Sequence, residues 1–247
     1  LTTVSSGPAP VELAKETWTL RGSVNTLFVK NGAIPQADVL IKVRGRKEAT
    51  RTDIKGDFSI ELPKAKGVVF LELLKSGYHP SIIGVTSGDE RPVRVEIASR
   101  HATEQIGQRL GLVQASSLGV FFAQISGSDG TGIRGAVAQL GLKADGPFYF
   151  DDDGNISRDL KATSQSGRFL FLNVESGTGF LETTINGEQI APVQISSVEG
   201  GELIQKSLMP VSATIKGRVF DPVAPQGRLQ PISGADRKST RLNSSHT

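Results

Sequence analysis

A short motif recurs along this 247-residue chain at the spacing of a whole domain. Its alanine falls at positions 37, 136 and 235, so both intervals are 99 residues. Solenoid repeats are much shorter, whereas a period of this length matches the size of an ordinary domain. We therefore expect two consecutive modules, each with its own core, followed by the opening strands of a third.

Short segments with alternating apolar and polar residues fill the first module, at residues 34–43, 52–60, 68–74 and 93–97. Alternation with a period of two is the pattern of a strand with one buried face. The 28 glycines and 12 prolines supply turns between such strands. The sequence predicts an all-β fold of tandem β-sandwiches, joined by a short connector helix over His101 to Leu112.

The same patterns predict where the modules begin and end. The expected organisation is an N-terminal segment, a first sandwich, a connector with the helix, a second sandwich with an insertion, a truncated third module and a terminal tail. These occupy residues 1–17, 18–98, 99–118, 119–211, 212–235 and 236–247, respectively.

The first module carries a motif of strand and turn residues, which are Gly22, Val24, Pro35, Ala37, Val39, Thr52, Asp53, Gly56, Phe58, Gly77 and Tyr78. Through these residues it resembles the carboxypeptidase regulatory-like domain, a small transthyretin-like β-sandwich. The resemblance implies tandem Ig-like or transthyretin-like β-sandwiches. The resemblance implies an accessory module of the kind found in bacterial surface and envelope proteins. It implies no zinc or peptidase chemistry, which belongs to the catalytic domain of the carboxypeptidases.

The second module departs from this pattern in two places. Ala123 stands where the first glycine of the motif is expected, and the segment from Ser164 to Phe169 lacks the aspartate. In both modules a glycine precedes a phenylalanine by two residues, at Gly56 and Gly167. We expect Phe58 and Phe169 to point into the two cores, and Asp53 to hydrogen-bond its own turn.

The segment Asp236–His246 resembles a translated sequencing adapter, whose DNA reads DRKSTRLNSSH in one frame. We therefore expect the tail to be artefactual, and the chain to be a fragment of a longer protein. The tail also carries most of the excess charge: without it 25 basic and 24 acidic residues remain. A nearly neutral chain without a basic stripe gives no indication of nucleic-acid binding.

Few residues are suited to catalysis. The chain has no cysteine, and its two histidines outside the tail, His79 and His101, have no partner at metal-ligand spacing. We interpret both as exposed structural residues, with His101 near the start of the connector helix. We expect no enzyme activity and no cofactor in this piece, although a catalytic domain elsewhere in the parent protein stays open.

One acidic cluster, Asp151, Asp152, Asp153 and Asn155, has two interpretations. Calcium binds several carboxylates on a tight loop, but the glycine and glutamate that an EF-hand requires are Ile156 and Ala162 here. The alternative is a solvated β-turn within the insertion.

The neighbouring Phe148, Tyr149 and Phe150 also have two interpretations. They form either an exposed platform on which a sugar stacks, or part of a core or of the packing between modules. The first interpretation favours a ligand-binding role.

These observations favour non-catalytic β-sandwich modules that act as spacers or in adhesion, in a bacterial envelope or secreted protein. The alternative is an accessory module that binds carbohydrate or peptide. The expected partners are neighbouring domains of the parent chain, and a carbohydrate or surface protein. No apolar run is long enough to span a bilayer, so no membrane insertion is expected. The expected location is extracellular, or in the cell envelope or periplasm.

Overall fold

The structure, a computed structural model, describes residues 16–28, 34–64, 66–197 and 201–208. In these ranges the chain is almost entirely β-strand, so the predicted all-β class is confirmed. In β1 (Thr17–Thr26) buried residues alternate with more exposed ones from Trp18 to Val24. This is the pattern of a strand that covers a core with one face.

Sixteen strands and one helix form within the described residues. After β1 they are β2 (Ile34–Pro35), β3 (Leu40–Val43), β4 (Ala49–Arg51), β5 (Asp57–Pro63), β6 (Val68–Leu74), β7 (Ser81–Thr86), β8 (Val93–Ile97), α1 (Arg100–Arg109), β9 (Gly119–Ile125), β10 (Ala136–Leu140), β11 (Asp145–Phe150), β12 (Ile156–Ser157), β13 (Arg168–Val174), β14 (Gly177–Ile185), β15 (Glu188–Ser197) and β16 (Leu203–Leu208).

The first sandwich consists of β1 to β8. In one layer, β1 pairs with β2 and β5 antiparallel and with β8 parallel. The other layer has the order β7-β6-β3-β4. The side chains packed between the layers come from both of them, and they are Trp18, Leu20, Val24, Val39, Ile41, Val43, Phe58, Ile60, Leu62, Val69, Leu71, Leu73, Val85, Val95 and Ile97.

The second sandwich, β9 to β16, repeats this connectivity. Here β9 lies between antiparallel β13 and parallel β16, as β1 lies between β5 and β8. The facing layer has the order β10-β14-β15. Its core contains Phe121, Ala123, Ile125, Ala136, Ala138, Tyr149, Phe169, Phe171, Val174, Leu181 and Ile195. The predicted insertion forms β11, a turn and β12, which extend the layer beyond β13.

The two sandwiches are joined more closely than beads on a string. A parallel bridge between Ser81 of β7 and Leu203 of β16 links one layer of each into a nine-stranded sheet. The Leu203 N–H also donates to the Pro80 carbonyl at 2.8 Å. All described residues fall within one compact unit. Each sandwich has its own core cluster, but the two share a layer.

The turn motif has the geometry expected from the sequence. Gly56 has φ +78°, and one carboxylate oxygen of Asp53 accepts the N–H groups of Lys55 and Asp57 at 2.8 and 2.9 Å. Phe58 and Phe169 are both buried, each in the core of its own sandwich. The predicted roles of Asp53 and the two phenylalanines are therefore confirmed.

The internal repeat has a different register from the one that its alanines suggest. The Thr52 hydroxyl donates to the Gln36 carbonyl and accepts from the Val39 N–H, at 2.6 and 2.9 Å. The Thr163 hydroxyl makes the same two bonds with Ile133 and Ala136, at 2.7 and 2.9 Å.

Ala136 therefore corresponds to Val39, and the equivalence of Ala136 with Ala37 is wrong by two residues. The interval is 97 residues for Val39 and Ala136 but 111 for Thr52 and Thr163, since the insertion lies between them.

The connector helix is confirmed as α1, which is capped by the Ser99 side chain on the Ala102 N–H. Among the described residues no helix has the length and apolar character needed to cross a membrane. Three expected parts of the chain fall wholly or mostly outside the described residues. They are the N-terminal segment (1–17), the truncated third module (212–235) and the tail expected to be artefactual (236–247).

Candidate functional site

His79 lies at the meeting point of the two sandwiches and the connector helix. It precedes β7, and only 1% of its surface is exposed. Its Nδ1 lies 2.7 Å from the Gly201 carbonyl, just before β16, and its Nε2 lies 2.8 Å from the Thr103 hydroxyl of α1. A carbonyl only accepts, so Nδ1 carries a proton. The Thr103 hydroxyl has one proton and two close acceptors, the Arg100 carbonyl at 2.8 Å and the Nε2 of His79. When the ring is neutral, Nε2 is the acceptor and the hydroxyl donates to it. The expectation that His79 is exposed is therefore wrong.

The electrostatic environment of His79 favours the neutral ring. Burial lowers the pKa of His79, and the neighbouring Arg100 also lowers it. The hydrogen bond to Gly201 raises this pKa by more than Arg100 lowers it, and the charge of Glu104 raises it least, but burial is the largest influence. A neutral histidine that bonds to α1 and to the loop before β16 is a connection between elements, with no side left for a reacting group.

A second set of polar contacts surrounds this histidine. The Arg100 guanidinium donates to the Ser116 carbonyl at 2.9 Å, which ties the start of α1 to the segment before β9. The backbone N–H of Arg100 donates to the Gly77 carbonyl, and that of His79 to the Ala98 carbonyl. The Gln205 amide of β16 donates to the Glu96 carbonyl of β8. Together with His79 these contacts fix the first sandwich, the helix and the second sandwich to one another.

A hydrophobic cluster lies beside these polar contacts. We call this region the junction, and it consists of His79, α1, the start of β16 and the hydrophobic cluster. The cluster draws on both sandwiches and on α1, and its buried members are Leu27, Ala98, Ile106, Leu110, Val120, Phe122, Phe148, Phe150, Leu170, Leu172 and Leu203. Phe28 of the first sandwich packs edge-on to Phe122 and stacks with Phe150, with ring centroids 5.4 and 6.2 Å apart.

The three aromatic residues of the insertion belong to cores. Phe148 and Phe150 are buried in the junction cluster, whereas Tyr149 points the other way, into the core of the second sandwich. The Tyr149 hydroxyl accepts the Ala138 N–H at 3.1 Å. An exposed sugar platform at these residues is therefore wrong, because α1 and Phe28 cover the face on which a ligand would stack. The alternative interpretation, in which these three aromatic residues pack in a core or between modules, agrees with their observed positions.

The acidic cluster forms a turn between β11 and β12. Asp151 accepts from the Asn155 N–H at 2.7 Å, and Asp152 accepts from the Arg134 guanidinium and the Gln165 N–H, both at 2.8 Å. Within the described ranges no three acidic or histidine side chains come together as a metal site would require. The carboxylates of Asp151 and Asp152 thus hold the turn and tie it to neighbouring loops.

His101 lies in the first turn of α1, exposed, with its Nε2 2.9 Å from the Gln105 amide. The sequence did not indicate Thr103 and Gly201, the two partners of His79. Gly201 is 122 positions from His79 along the chain. The one available signal was that the segment from Lys75 to Pro80 is longer than a hairpin needs, which is typical of a connection with contacts of its own.

Comparison with known proteins gave no relative in sequence. No family model matches the chain. No curated protein matches it either.

Among the solved structures with weak similarity to this chain are three from bacteria. One is a mutant type II cohesin–X-dockerin complex from Acetivibrio cellulolyticus, with a TM-score of 0.27, 22% identity, and 32% of this chain and 56% of that chain covered. Another is the shaft pilin SpaA of Lactobacillus rhamnosus GG, with a TM-score of 0.26 and 12% identity. The match covers 81% of this chain and 100% of that chain. The third is the Bacillus anthracis TIE protein, with a TM-score of 0.26 and 17% identity. The match covers 78% of this chain and 34% of that chain. Scores this low do not establish a common fold, and the fold class rests on the strands and sheets described above.

Proposed function

We propose that the two sandwiches act as one rigid, non-catalytic spacer that presents neighbouring domains of its parent protein. The observation that carries this proposal is the junction, where His79 and a shared hydrophobic cluster join both sandwiches to α1. Domains joined by a flexible linker move independently by default, whereas a large apolar interface holds them in one orientation. Rigidity is useful in a protein that must hold other parts at a distance.

The side chains with the most reactive chemistry support a structural role. His79 is enclosed by the junction, and Asp53, Asp151 and Asp152 each accept backbone N–H groups of turns. Each of these groups has a role in the stability of the fold, which is the pattern of a scaffold.

We further propose that the first sandwich is of the carboxypeptidase regulatory-like type, in an envelope or secreted protein of bacteria. The geometry of its motif supports this assignment. The Phe58 ring packs directly over Gly22, where an added Cβ would lie 2.7 Å from the ring and 2.5 Å from the Val93 carbonyl oxygen. The motif glycine and the motif phenylalanine are thus one packing unit.

The rigid-spacer proposal is tested by the distance between two spin labels, one on each sandwich. The chain contains no cysteine, so Ile54→Cys and Val137→Cys label only the intended positions. Both residues are exposed, Ile54 at 88% and Val137 at 47%. We expect double electron–electron resonance of the doubly labelled full chain to give one narrow distribution of distances between the two labels. A broad or multimodal distribution would refute the proposal.

The junction itself is tested by a matched pair of variants. Phe28→Ala removes a ring that packs on Phe122 and Phe150, and it is expected to broaden the distribution. Phe70→Ala is the control, because Phe70 is 52% exposed on β6 and lies away from the junction cluster. A narrow distribution in both variants would mean that the aromatic cluster does not fix the orientation.

A further inference from the structure

A cleft of about 430 Å³ opens on the outer face of the first sandwich, beside the segment that leads into His79. Its floor is apolar and includes Leu40 and Leu74, which are paired across β3 and β6. Its polar rim consists of Asp38, Arg51, Lys75 and Ser76. The volume lies in the range of small-molecule sites, and an apolar floor with a few convergent polar groups is their usual composition.

The rim carries a guanidinium with one edge free. Arg51 donates through one Nη to the Asp38 carboxylate at 2.8 Å. Its Nε and its other Nη donate to no group among the described residues, and its side chain is 56% exposed. That free edge presents two parallel N–H bonds, the geometry that binds a carboxylate in bidentate fashion.

The second cation of the cleft is held in place by its neighbours. The Lys75 ammonium donates to the Gln36 side-chain carbonyl at 3.0 Å and to the Ala37 backbone carbonyl at 2.7 Å. It also lies 5.2 Å from the centre of the Tyr78 ring, whose hydroxyl donates to Gln36 at 2.7 Å. Two of its three N–H donors are thus used, and the third is left for a ligand.

The second sandwich shows that the fold does not need these polar residues. By the matched threonine hydrogen bonds, Gln36, Asp38 and Arg51 correspond to Ile133, Gly135 and Ala162. The segment from Lys75 to Pro80 corresponds to a two-residue turn, Asn186 and Gly187, between β14 and β15. The same architecture therefore forms without any of these polar residues of the cleft.

Asp38 is the most telling of these differences. It adopts a left-handed φ of +58°, and the corresponding Gly135 has φ +83°. A side chain at such a position costs conformational energy that glycine avoids. The first sandwich nevertheless carries a carboxylate there, with one oxygen on Arg51 and a side chain that is 79% exposed. Strained residues of this kind cluster at ligand sites.

We propose that this cleft binds a hexuronic acid, the carboxylate-bearing form of a six-carbon sugar. Two cations and one carboxylate leave room for one negative charge, which the free edge of Arg51 and the spare donor of Lys75 would take. The second oxygen of Asp38 accepts a sugar hydroxyl, and Ser76 offers a hydroxyl of its own. The apolar floor takes the C–H face of the ring. Asp38 would repel a ligand with several carboxylates, such as an acidic peptide, which is why a singly charged sugar fits better.

The test is calorimetric titration of the full chain with galacturonate and with glucuronate, with glucose and N-acetylglutamate as comparison ligands. We expect saturable binding of a uronate, weaker at high salt because the contact is ionic. We expect no binding of glucose, and at most weaker binding of N-acetylglutamate. Binding of glucose as tight as that of the uronates, or of N-acetylglutamate alone, would overturn the proposal, as would binding of none of the four.

Variants separate the site from general effects of charge. Arg51→Ala removes the bidentate partner and is expected to weaken uronate binding by about tenfold or more, since hydrogen bonds to charged groups are among the strongest. Arg134→Ala is the matched control, because Arg134 forms an equivalent exposed ion pair with Asp152 in the second sandwich. Equal affinity in Arg51→Ala and the parent chain would overturn the proposal. None of these outcomes bears on the rigid-spacer role, which is tested by distances alone.

Discussion

Thr163 repeats in the second sandwich every hydrogen bond that Thr52 makes in the first. Beyond the two hydroxyl bonds, the Thr52 N–H donates to the Val39 carbonyl and its carbonyl accepts from the Asp38 N–H, at 3.1 and 3.0 Å. The corresponding bonds of Thr163, with Ala136 and Gly135, measure 2.9 and 2.8 Å. Both threonines are buried, so each hydroxyl replaces water for two backbone groups that would otherwise have no partner.

Replacing either threonine by valine is therefore expected to destabilise its sandwich. At Thr52 the change leaves a buried N–H and a buried carbonyl unsatisfied, whereas at Thr163 the N–H is buried and the Ile133 carbonyl is partly buried. A buried group without a partner costs about 1–3 kcal/mol. Urea denaturation of Thr52→Val and Thr163→Val measures the loss. Serine keeps the hydroxyl, so Thr52→Ser and Thr163→Ser are expected to lose much less. Equal losses for serine and valine would mean that the methyl group, and not the hydroxyl, holds the turn.

The junction is expected to weaken in acid through His79. Its native pKa lies below the ordinary value of 6.5, so the unfolded chain binds the proton more readily than the folded chain does. The contribution of neutral His79 to the free energy of unfolding is fully present above pH 6.5. It is lost as the pH falls from 6.5 towards the lower native pKa. The charge of Arg100 also lowers the native pKa, whereas the hydrogen bond to Gly201 and the charge of Glu104 raise it.

The measurement is the melting temperature between pH 7.5 and pH 5 for the parent chain, His79→Gln and His101→Gln. His101→Gln is the control, because it makes the same substitution at an exposed position. His79→Gln should show a smaller fall, whatever its absolute stability, because the amide does not titrate. The same fall in melting temperature with pH in all three proteins would show that folding does not change the pKa of His79.

Phe58→Ala and Phe169→Ala are each expected to cost about 3–5 kcal/mol, the usual loss for a buried phenylalanine. The two rings lie in separate core clusters, so we expect loss of amide protection to begin within the altered sandwich. Hydrogen exchange resolved by peptide measures this directly. Simultaneous loss across both sandwiches from either change would mean that the shared sheet makes them a single folding unit.

Local features of this fold are readable from the sequence because they depend on neighbouring residues. The strand alternation around Leu20, the turn at Asp53 and the helix after Ser99 all follow from residues within a few positions. The junction is not readable in this way. Nothing near His79 in the sequence reports that a carbonyl 122 positions away will bury it. Likewise, Phe148 and Phe150 form part of a core only because Phe28 and α1 come to lie on them.

The repeat register failed for a related reason. Three alanines at equal spacing gave a simple alignment, but the matched positions Val39 and Ala136 are 97 residues apart, and the insertion of β11 and β12 lies after Ala136. The residue that carries the equivalence is the buried threonine, which can be recognised only by the hydrogen bonds that it makes.

One pair of equivalent positions makes a reciprocal prediction. Gly22 pairs with Phe58 across β1 and β5, and Ala123 pairs with Phe169 across β9 and β13. Both positions are buried, so the second sandwich accepts a methyl group where the first has none. In the first sandwich two groups crowd this position, the Val93 carbonyl and the Phe58 ring. A Cβ on Gly22 would lie 2.5 Å from the Val93 carbonyl oxygen of β8, which is backbone and cannot rotate away.

Gly22→Ala is therefore expected to force β1 away from β8 and to cost about 1–3 kcal/mol, the usual penalty for overpacking. Ala123→Gly adds no contact and is expected to cost about 1 kcal/mol or less beyond the lost methyl, through the greater freedom of glycine in the unfolded chain. Urea denaturation gives both values. Hydrogen exchange of β8 distinguishes the causes, because only Gly22→Ala should expose the amides that pair with β1. A stable Gly22→Ala with β8 still protected would mean that the strand shifts at little cost, and that the glycine of the motif is not required by packing.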